Sequence, residues 1–157
     1  MTHFGELIAI LANGSVDFVV IGGVALISRG GSRATNVLDI VYSRASENLN
    51  RLANALGPTH PRLRGAPPEL PFFFDSRTLK SGLNFTLVTD LGELDVLGEV
   101  TGLGGYAAVA ALSSKLALFG HDVLVLNLDG LEQAKRAAGR AKDLLDLEMI
   151  RALKSRG

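Results

Sequence analysis

Apolar positions along the chain repeat at two spacings, one typical of helices and one typical of strands. Phe4, Leu7, Ile8 and Leu11 recur at helical spacing and predict a first helix over residues 4–13. Other apolar runs predict strands over 17–21, 37–42, 83–89, 94–100 and 121–128, and helices over 24–29, 46–56 and 131–155. This alternation of strands and helices predicts an α/β (α+β) protein.

Two connections refine this prediction. Asp90-Leu91-Gly92 joins the runs at 83–89 and 94–100 and is typical of a hairpin turn, so part of the sheet should be antiparallel. The proline-rich segment 59–71 is expected to form a long irregular loop. The sheet is therefore expected to be mixed and flanked by helices.

The last apolar pattern predicts one long C-terminal helix. Asp129 and Glu132 are spaced like the two ends of a capping box at its start. The face that this helix should bury consists of Leu131, Ala134, Ala138, Ala141 and Leu145.

Composition narrows the class of protein. The 157 residues suit one domain spanning 1–157, and 47% hydrophobic against 6% aromatic residues predicts an aliphatic core. A formal net charge of zero disfavours bulk attraction to nucleic acid or anionic lipid. Without cysteine there is no disulfide and no thiol nucleophile. Residues 1–6 lack the basic segment of a signal peptide, and no apolar run is long enough to cross a membrane. We therefore expect a cytoplasmic protein with no membrane partner.

A glycine pair and an acidic strand are the main candidates for chemistry. The run Phe18–Ile21 ends in Gly22-Gly23, and the next apolar run carries Asp39. Glycines lack a Cβ, so backbone amides there can approach phosphate oxygens closely. Arg29 and Arg33 lie in the intervening segment and could reach the same phosphates.

This order of strand, glycine pair, helix and acidic strand resembles the nucleotidyltransferase superfamily with the polymerase-β-like fold. Segments 82–98 and 131–143 further resemble a bacterial family of small, minimal nucleotidyltransferase-like proteins with toxin-like relatives. The resemblance covers about residues 16 to 150. It implies a mixed sheet flanked by helices and closed by a long C-terminal helix.

The resemblance also implies a reaction and a set of site residues. An NMP group would move from an NTP such as ATP to a hydroxyl of a tRNA, a protein or a small molecule. Asp39 and Asp95 match catalytic carboxylates that hold two Mg²⁺ ions, and Asp95 could also deprotonate the acceptor hydroxyl. The matching nucleotide-binding residues are Gly22, Gly23, Arg33, Thr35, Lys135, Arg140 and Lys142.

One catalytic position departs from the family pattern. Val37 stands two residues before Asp39, where the family carries its first metal-binding carboxylate. An isopropyl group there removes a ligand, so transfer should be impaired. Glu93 is a better candidate than Asp90 for a replacement ligand, because it should lie alongside Asp95. The alternative function is a catalytically silent module that binds nucleotide or a partner, such as the antitoxin of a toxin–antitoxin-like pair.

Two features have simpler interpretations. The basic residues of the C-terminal helix could form a solvated face with Arg140–Asp143 and Lys142–Asp146 ion pairs. The segment Gly102-Leu-Gly104 fits a relaxed dinucleotide fingerprint with Asp122 downstream, but too little chain follows it for a doubly wound sheet. The three histidines are scattered without the spacing of zinc ligands.

Overall fold

Seven strands form one mixed sheet in the computed structural model, which describes residues 1–156. The strands are β1 Phe18–Ile21, β2 Val37–Tyr42, β3 Arg62–Leu63, β4 Asn84–Thr89, β5 Gly92–Leu97, β6 Ser113–Leu118 and β7 His121–Leu126. The helices are α1 Phe4–Asn13, α2 Gly22–Ser28, α3 Ser46–Leu56, α4 Ser76–Ser81, α5 Tyr106–Ala111, α6 Leu128–Ala138 and α7 Ala141–Arg156. A short 3₁₀ turn, Gly57–Thr59, follows α3.

The strand order is β3-β4-β5-β2-β1-β7-β6, which places β5, β2 and β1 in the interior of the sheet. β2 runs parallel to β5 and antiparallel to β1, and β4 and β5 form the predicted antiparallel hairpin. The expectation of a mixed sheet is therefore confirmed. Because β2 and β5 are neighbours, the two acidic segments found in the sequence lie side by side.

The two central strands bury one face more completely than the other. Leu38 and Ile40 of β2, and Leu94 and Val96 of β5, are fully buried in an aliphatic core. Alternate side chains point to opposite faces of a strand. Positions 37 and 39 of β2 and 93 and 95 of β5 therefore share the other face, where they are half-buried. That partly open face can accept polar side chains.

Three short elements were not anticipated. β3 and α4 interrupt the segment between α3 and β4, and α4 begins where the Asp75 side chain accepts a hydrogen bond from the Thr78 amide. β6 pairs with β7 as an outer antiparallel hairpin. β3 is only two residues long, and α4 and β6 begin with polar residues and bury at most one side chain each, so none gives a clear periodic signal in the sequence.

A long C-terminal helix is present as predicted, α7 with 16 residues, but the predicted span 131–155 is divided, because the chain turns between α6 and α7. Gly139 adopts the left-handed conformation (φ 64°) and ends α6, as glycine commonly does after a helix. The turn changes which residues face inward: Asp143 and Asp146 are buried, whereas Leu145 is 70% exposed. Ala138 and Ala141, also predicted to be buried, are exposed. The start of α6 differs too, because its cap is Asn127, which accepts a hydrogen bond from the Gly130 amide.

The glycine-rich segment at 102–105 does not lie in a dinucleotide-binding unit. A bridge between Val100 and Gly104 closes a tight turn there, and α5 follows. The next strand, β6, lies at the far edge of the sheet and runs antiparallel to β7. A dinucleotide fold needs a parallel strand–helix–strand unit at this point. Within residues 1–156, no helix combines the length and the apolar character needed to cross a membrane.

Candidate functional site

Two carboxylates face each other on the central parallel strands. Asp39 of β2 is paired with Asp95 of β5, and two residues earlier Val37 is paired with Glu93. All four positions lie on the half-open face of the sheet. The structure therefore brings together the two predicted metal-binding acids. It also places Glu93 directly beside the apolar side chain of Val37.

The glycine pair packs against this carboxylate pair. Gly22 has a positive φ of 66°, and a Cβ built on it would lie 2.2 Å from an Asp39 carboxylate oxygen. A Cβ on Gly23 would lie 3.0 Å from the Thr35 side chain. Glycine at position 22 is therefore required by both conformation and space. The strand-to-helix turn can lie directly over Asp39 only because these side chains are missing.

The environment of Asp39 favours its protonated form. Burial and the negative charge of Asp95 raise the pKa of Asp39 to about 7, and a hydrogen bond between the two carboxyl groups acts in the same direction. The positive charges of Lys135 and Arg64 partly oppose this rise. A positive charge bound between Asp39 and Asp95 would relieve their repulsion. The pair is thus electrostatically suited to a cation.

Arg64, which no sequence pattern singles out, reaches Asp95 and its neighbour Glu93 from beyond β3. Its Nη2 donates hydrogen bonds to Asp95 Oδ1 at 2.7 Å and to the Leu87 carbonyl at 2.9 Å. Its Nε lies 3.5 Å from Glu93 Oε1. That Nε is buried and has no hydrogen-bond partner among the described residues. One guanidinium therefore bridges the two acidic side chains of β5.

A second charged cluster borders the site on the side of α6 and α7. Arg33 forms an ion pair with the buried Asp146, which also accepts from Lys135 Nζ at 2.9 Å. Lys135 contacts Asp143 at 3.3 Å as well. The predicted phosphate-binding residues Arg33 and Lys135 are therefore both held by Asp146, and both line the same cleft as Asp39.

The helix turn supplies further contacts to this cluster. Arg140 donates to both oxygens of Asp143 through Nε at 2.8 Å and Nη2 at 3.2 Å, so the predicted Arg140–Asp143 pair is present. The Arg140 guanidinium and amide, followed by Lys135, hold the pKa of Asp143 well below its usual range. The predicted Lys142–Asp146 pair is replaced by the contacts of Asp146 with Arg33 and Lys135.

A cleft of about 700 Å³ joins these groups. Its lining includes nine of the predicted site residues, together with Val37: Gly22, Gly23, Arg33, Thr35, Asp39, Asp95, Lys135, Arg140 and Lys142. Its remaining wall includes Asn84 at the start of β4, and Glu99 and Thr101 beyond the end of β5. Arg29 is elsewhere: its guanidinium binds the carbonyls of Val125 and Leu126, so the suggestion that it reaches phosphates is wrong.

The side chains present suit one Mg²⁺ better than two. Mg²⁺ is commonly held by one or two carboxylates together with phosphate oxygens and water, and Asp39 and Asp95 offer that donor set. A second ion would need a further carboxylate, but Val37 is apolar, and Glu93 lies beside Arg64 and Asn36. Among residues 1–156, no three His, Asp or Glu side chains are grouped as a metal site.

The roles of two residues of the site, Arg64 and Asp146, could not be predicted from the sequence, because no local pattern marks them. Arg64 lies in the proline-rich segment, and nothing local indicates that it crosses β4 to reach β5. Asp146 resembles a surface acid on a continuous helix, and it is buried only because of the turn at Gly139. Both depend on long-range packing rather than on a motif.

Comparison with solved structures identifies the fold. The lincosamide antibiotic adenylyltransferase LnuA, in its lincomycin-bound structure, matches with a TM-score of 0.61 and 11% identity over 98% of each chain. ANT(2")-Ia in complex with adenylyl-2"-tobramycin matches with a TM-score of 0.60 and 14% identity, over 98% of this chain and 95% of the other. A Thermotoga maritima protein described as a nucleotidyltransferase matches with a TM-score of 0.56 and 13% identity, over 100% and 97%.

These similarities show that the chain has the nucleotidyltransferase fold over its described length. Neither the protein-family models nor the curated proteins give a match to the sequence.

Proposed function

We propose that this protein is a nucleotidyltransferase that moves an NMP group from an NTP to a hydroxyl of a small molecule. The observation that carries the proposal is the pairing of Asp39 with Asp95 directly beneath the Gly22 turn. Two facing carboxylates suit the Mg²⁺ counter-ion of a nucleoside triphosphate, and the glycine turn lets backbone amides approach its phosphates. The fold shared with two antibiotic-modifying adenylyltransferases is consistent with this reaction.

In this proposal the phosphates lie between the glycine turn and the basic cluster. Gly22 and Gly23 let the backbone of the turn lie close against Asp39 and Thr35 at the border of the cleft, and Arg33 and Lys135 offer positive charge in the same cleft. Thr35, Arg140 and Lys142 line the same cleft. Mg²⁺ held by Asp39 and Asp95 would stabilise negative charge on the reacting phosphoryl group.

The reaction itself is a displacement at the α-phosphorus. The acceptor hydroxyl oxygen forms a bond to phosphorus, the bond to pyrophosphate breaks, and Asp95 takes the hydroxyl proton. The wall formed by Asn84, Glu99 and Thr101 offers hydrogen-bonding groups to a polar acceptor. Lincomycin and a tobramycin adduct are bound to proteins of the same fold, which favours a small hydroxylated acceptor over a tRNA or a protein.

The alternative function is a silent module that binds nucleotide without transferring it. Val37 favours this possibility, because the missing carboxylate weakens charge stabilisation at the reacting phosphate. The ion pair between Arg64 and Asp95 also favours a silent module, because it occupies a carboxylate that transfer would need. Such a module would act through a partner, for example an antitoxin or a regulatory protein. An impaired enzyme would form product slowly, whereas a silent module would form none.

The test is transfer of label from α-³²P NTPs. The protein would be incubated with each NTP, Mg²⁺ and a pool of hydroxylated small molecules that includes lincomycin and tobramycin, with bulk tRNA and protein as separate arms. We expect a small-molecule product heavier by one NMP group, which is lost in Asp39→Asn and Asp95→Asn. Asp122→Asn, on an exposed position of β7, is the matched control. Label on tRNA or protein alone would reject the small-molecule acceptor, and nucleotide binding without any product would favour the silent module.

A further inference from the structure

The position of Arg64 relative to the acidic strand is unusual for a surface arginine. Its side chain starts beyond β3, crosses β4 at the Leu87 carbonyl and ends at Asp95 on β5. Only 27% of the Arg64 side chain is exposed, against 21% of Asp95 and 33% of Glu93. Contacts that are this sheltered are screened less by salt than an exposed ion pair. The guanidinium is therefore a sheltered partner of Asp95, which itself lines the cleft.

In the described part of the chain, Arg64 is the single guanidinium in a group of carboxylates. Asp95 and Glu93 lie two residues apart on one face of β5, opposite Asp39 and Val37 of β2. The Arg64 guanidinium places its positive charge between the two β5 carboxylates. Its hydrogen bond occupies one oxygen of Asp95, a residue proposed above to bind Mg²⁺.

We propose that Arg64 is the internal counter-cation of this acidic group and that a divalent cation must compete with it for Asp95. The inference rests on the proposed function, because it concerns the same carboxylate pair. Glu93 provides the alternative position for the guanidinium. The Arg64 Nε already faces Glu93 Oε1 at 3.5 Å and lacks a hydrogen-bond partner among the described residues. A small shift toward Glu93 would satisfy Nε and release Asp95.

The direct test is Mn²⁺ binding to the nucleotide-free protein, measured by the loss of the free-ion electron paramagnetic resonance signal. Mn²⁺ prefers the same carboxylate ligands as Mg²⁺. We expect Arg64→Gln to bind Mn²⁺ about tenfold or more tightly than the original chain, because a neighbouring unit positive charge is removed. Arg62→Gln, which changes an exposed arginine on β3 two residues before Arg64, should leave the affinity unchanged. Equal or weaker Mn²⁺ binding by Arg64→Gln would overturn the proposal.

Two further measurements, on Arg64→Lys and on Asp95→Asn, accompany this test. Arg64→Lys keeps the charge but can contact the carboxylates only as a compact ammonium group, so its Mn²⁺ affinity should lie between the other two. If Arg64→Gln does not fold, Arg64→Lys with unchanged or weaker Mn²⁺ affinity would reject the proposal, and tighter binding would support it. Mn²⁺–ATP binding to Asp95→Asn separates the two claims. Loss of that complex, with no gain in Arg64→Gln, would leave the proposed function standing and reject the counter-cation.

Discussion

Asp39 of β2 lies directly across from Asp95 of β5, on the open face of two parallel strands. Like charges at such close range oppose each other, and burial adds to the cost of ionising Asp39. The arrangement is therefore unfavourable for the fold and useful only if a cation is bound there. This conflict between stability and binding leads to the first prediction.

Asp39→Asn should stabilise the metal-free protein at pH 8. The pKa of Asp39 is raised to about 7 in the folded state, whereas an unfolded aspartate titrates near ~4. The unfolded chain thus loses this proton first, and the resulting loss of stability grows from about pH 4 to about pH 7 and is complete above it. The melting temperatures of the two proteins in EDTA should therefore be similar at pH 4 and diverge at pH 8.

Asp122→Asn serves as the control for this comparison, because Asp122 is exposed on β7. A lower melting temperature for Asp39→Asn at pH 8 would show that Asp39 stabilises the fold, contrary to the electrostatic argument.

Gly22→Ala should weaken both the fold and nucleotide binding. Alanine at a φ of 66° costs about 1–2 kcal/mol, and its Cβ would also collide with the Asp39 carboxylate. Urea denaturation and calorimetric titration with Mg²⁺–ATP would measure the two effects. Gly57→Ala is the matched control, because a Cβ there meets no atom within 4 Å. Unchanged ATP affinity in Gly22→Ala would argue against a phosphate site at the glycine turn.

Asp146→Asn should disturb two phosphate-binding candidates at once. Arg33 and Lys135 share the Asp146 carboxylate, so its neutralisation weakens two charge-assisted contacts. We expect a loss of about 1–3 kcal/mol in the free energy of unfolding and weaker ATP binding. Urea denaturation and calorimetry on the same preparation would measure both. Lower stability with full ATP affinity would mean that Asp146 supports only the fold.

Asp143 should contribute to stability at neutral pH and not in strong acid. Arg140 and Lys135 hold the pKa of Asp143 well below its usual range. Stability from this group is present above about pH 4, where an unfolded aspartate is ionised, and is lost as the pH falls through the depressed pKa. The melting temperature of Asp143→Asn should therefore be lower than that of the original chain at pH 7, and the difference should narrow below pH 4. A constant difference would implicate packing instead.

Much of the sheet could be predicted because its strands carry local signals. β2 and α3 have the predicted bounds, and the hairpin of β4 and β5 follows from its turn residues. The pairing of Asp39 with Asp95 was expected only through the resemblance to a family. Periodicity within each strand cannot specify which strand lies beside it.

The C-terminal region was predicted less well because one residue changes its geometry. Gly139 separates two helices whose combined sequence has a plausible continuous helical pattern. Because of this turn, Leu145 is exposed, whereas Asp143 and Asp146 are buried. Asp143 and Asp146 then form ion pairs with Lys135 and Arg140, for which the sequence also allows a solvated face. A single left-handed glycine thus decides which side chains border the cleft.

The most direct test of the account is Mg²⁺-dependent ATP binding by the original chain and Val37→Asp, measured side by side by calorimetry. Val37 lies beside Glu93 and two residues from Asp39, so an aspartate there would restore a third carboxylate to the cleft. Val37→Asn, which has nearly the same shape without the charge, is the control. We expect Mg²⁺ to tighten ATP binding by about tenfold or more in Val37→Asp relative to Val37→Asn. Equal ATP affinity with and without Mg²⁺ in Val37→Asp would contradict a nucleotidyl-transfer site at Asp39 and Asp95.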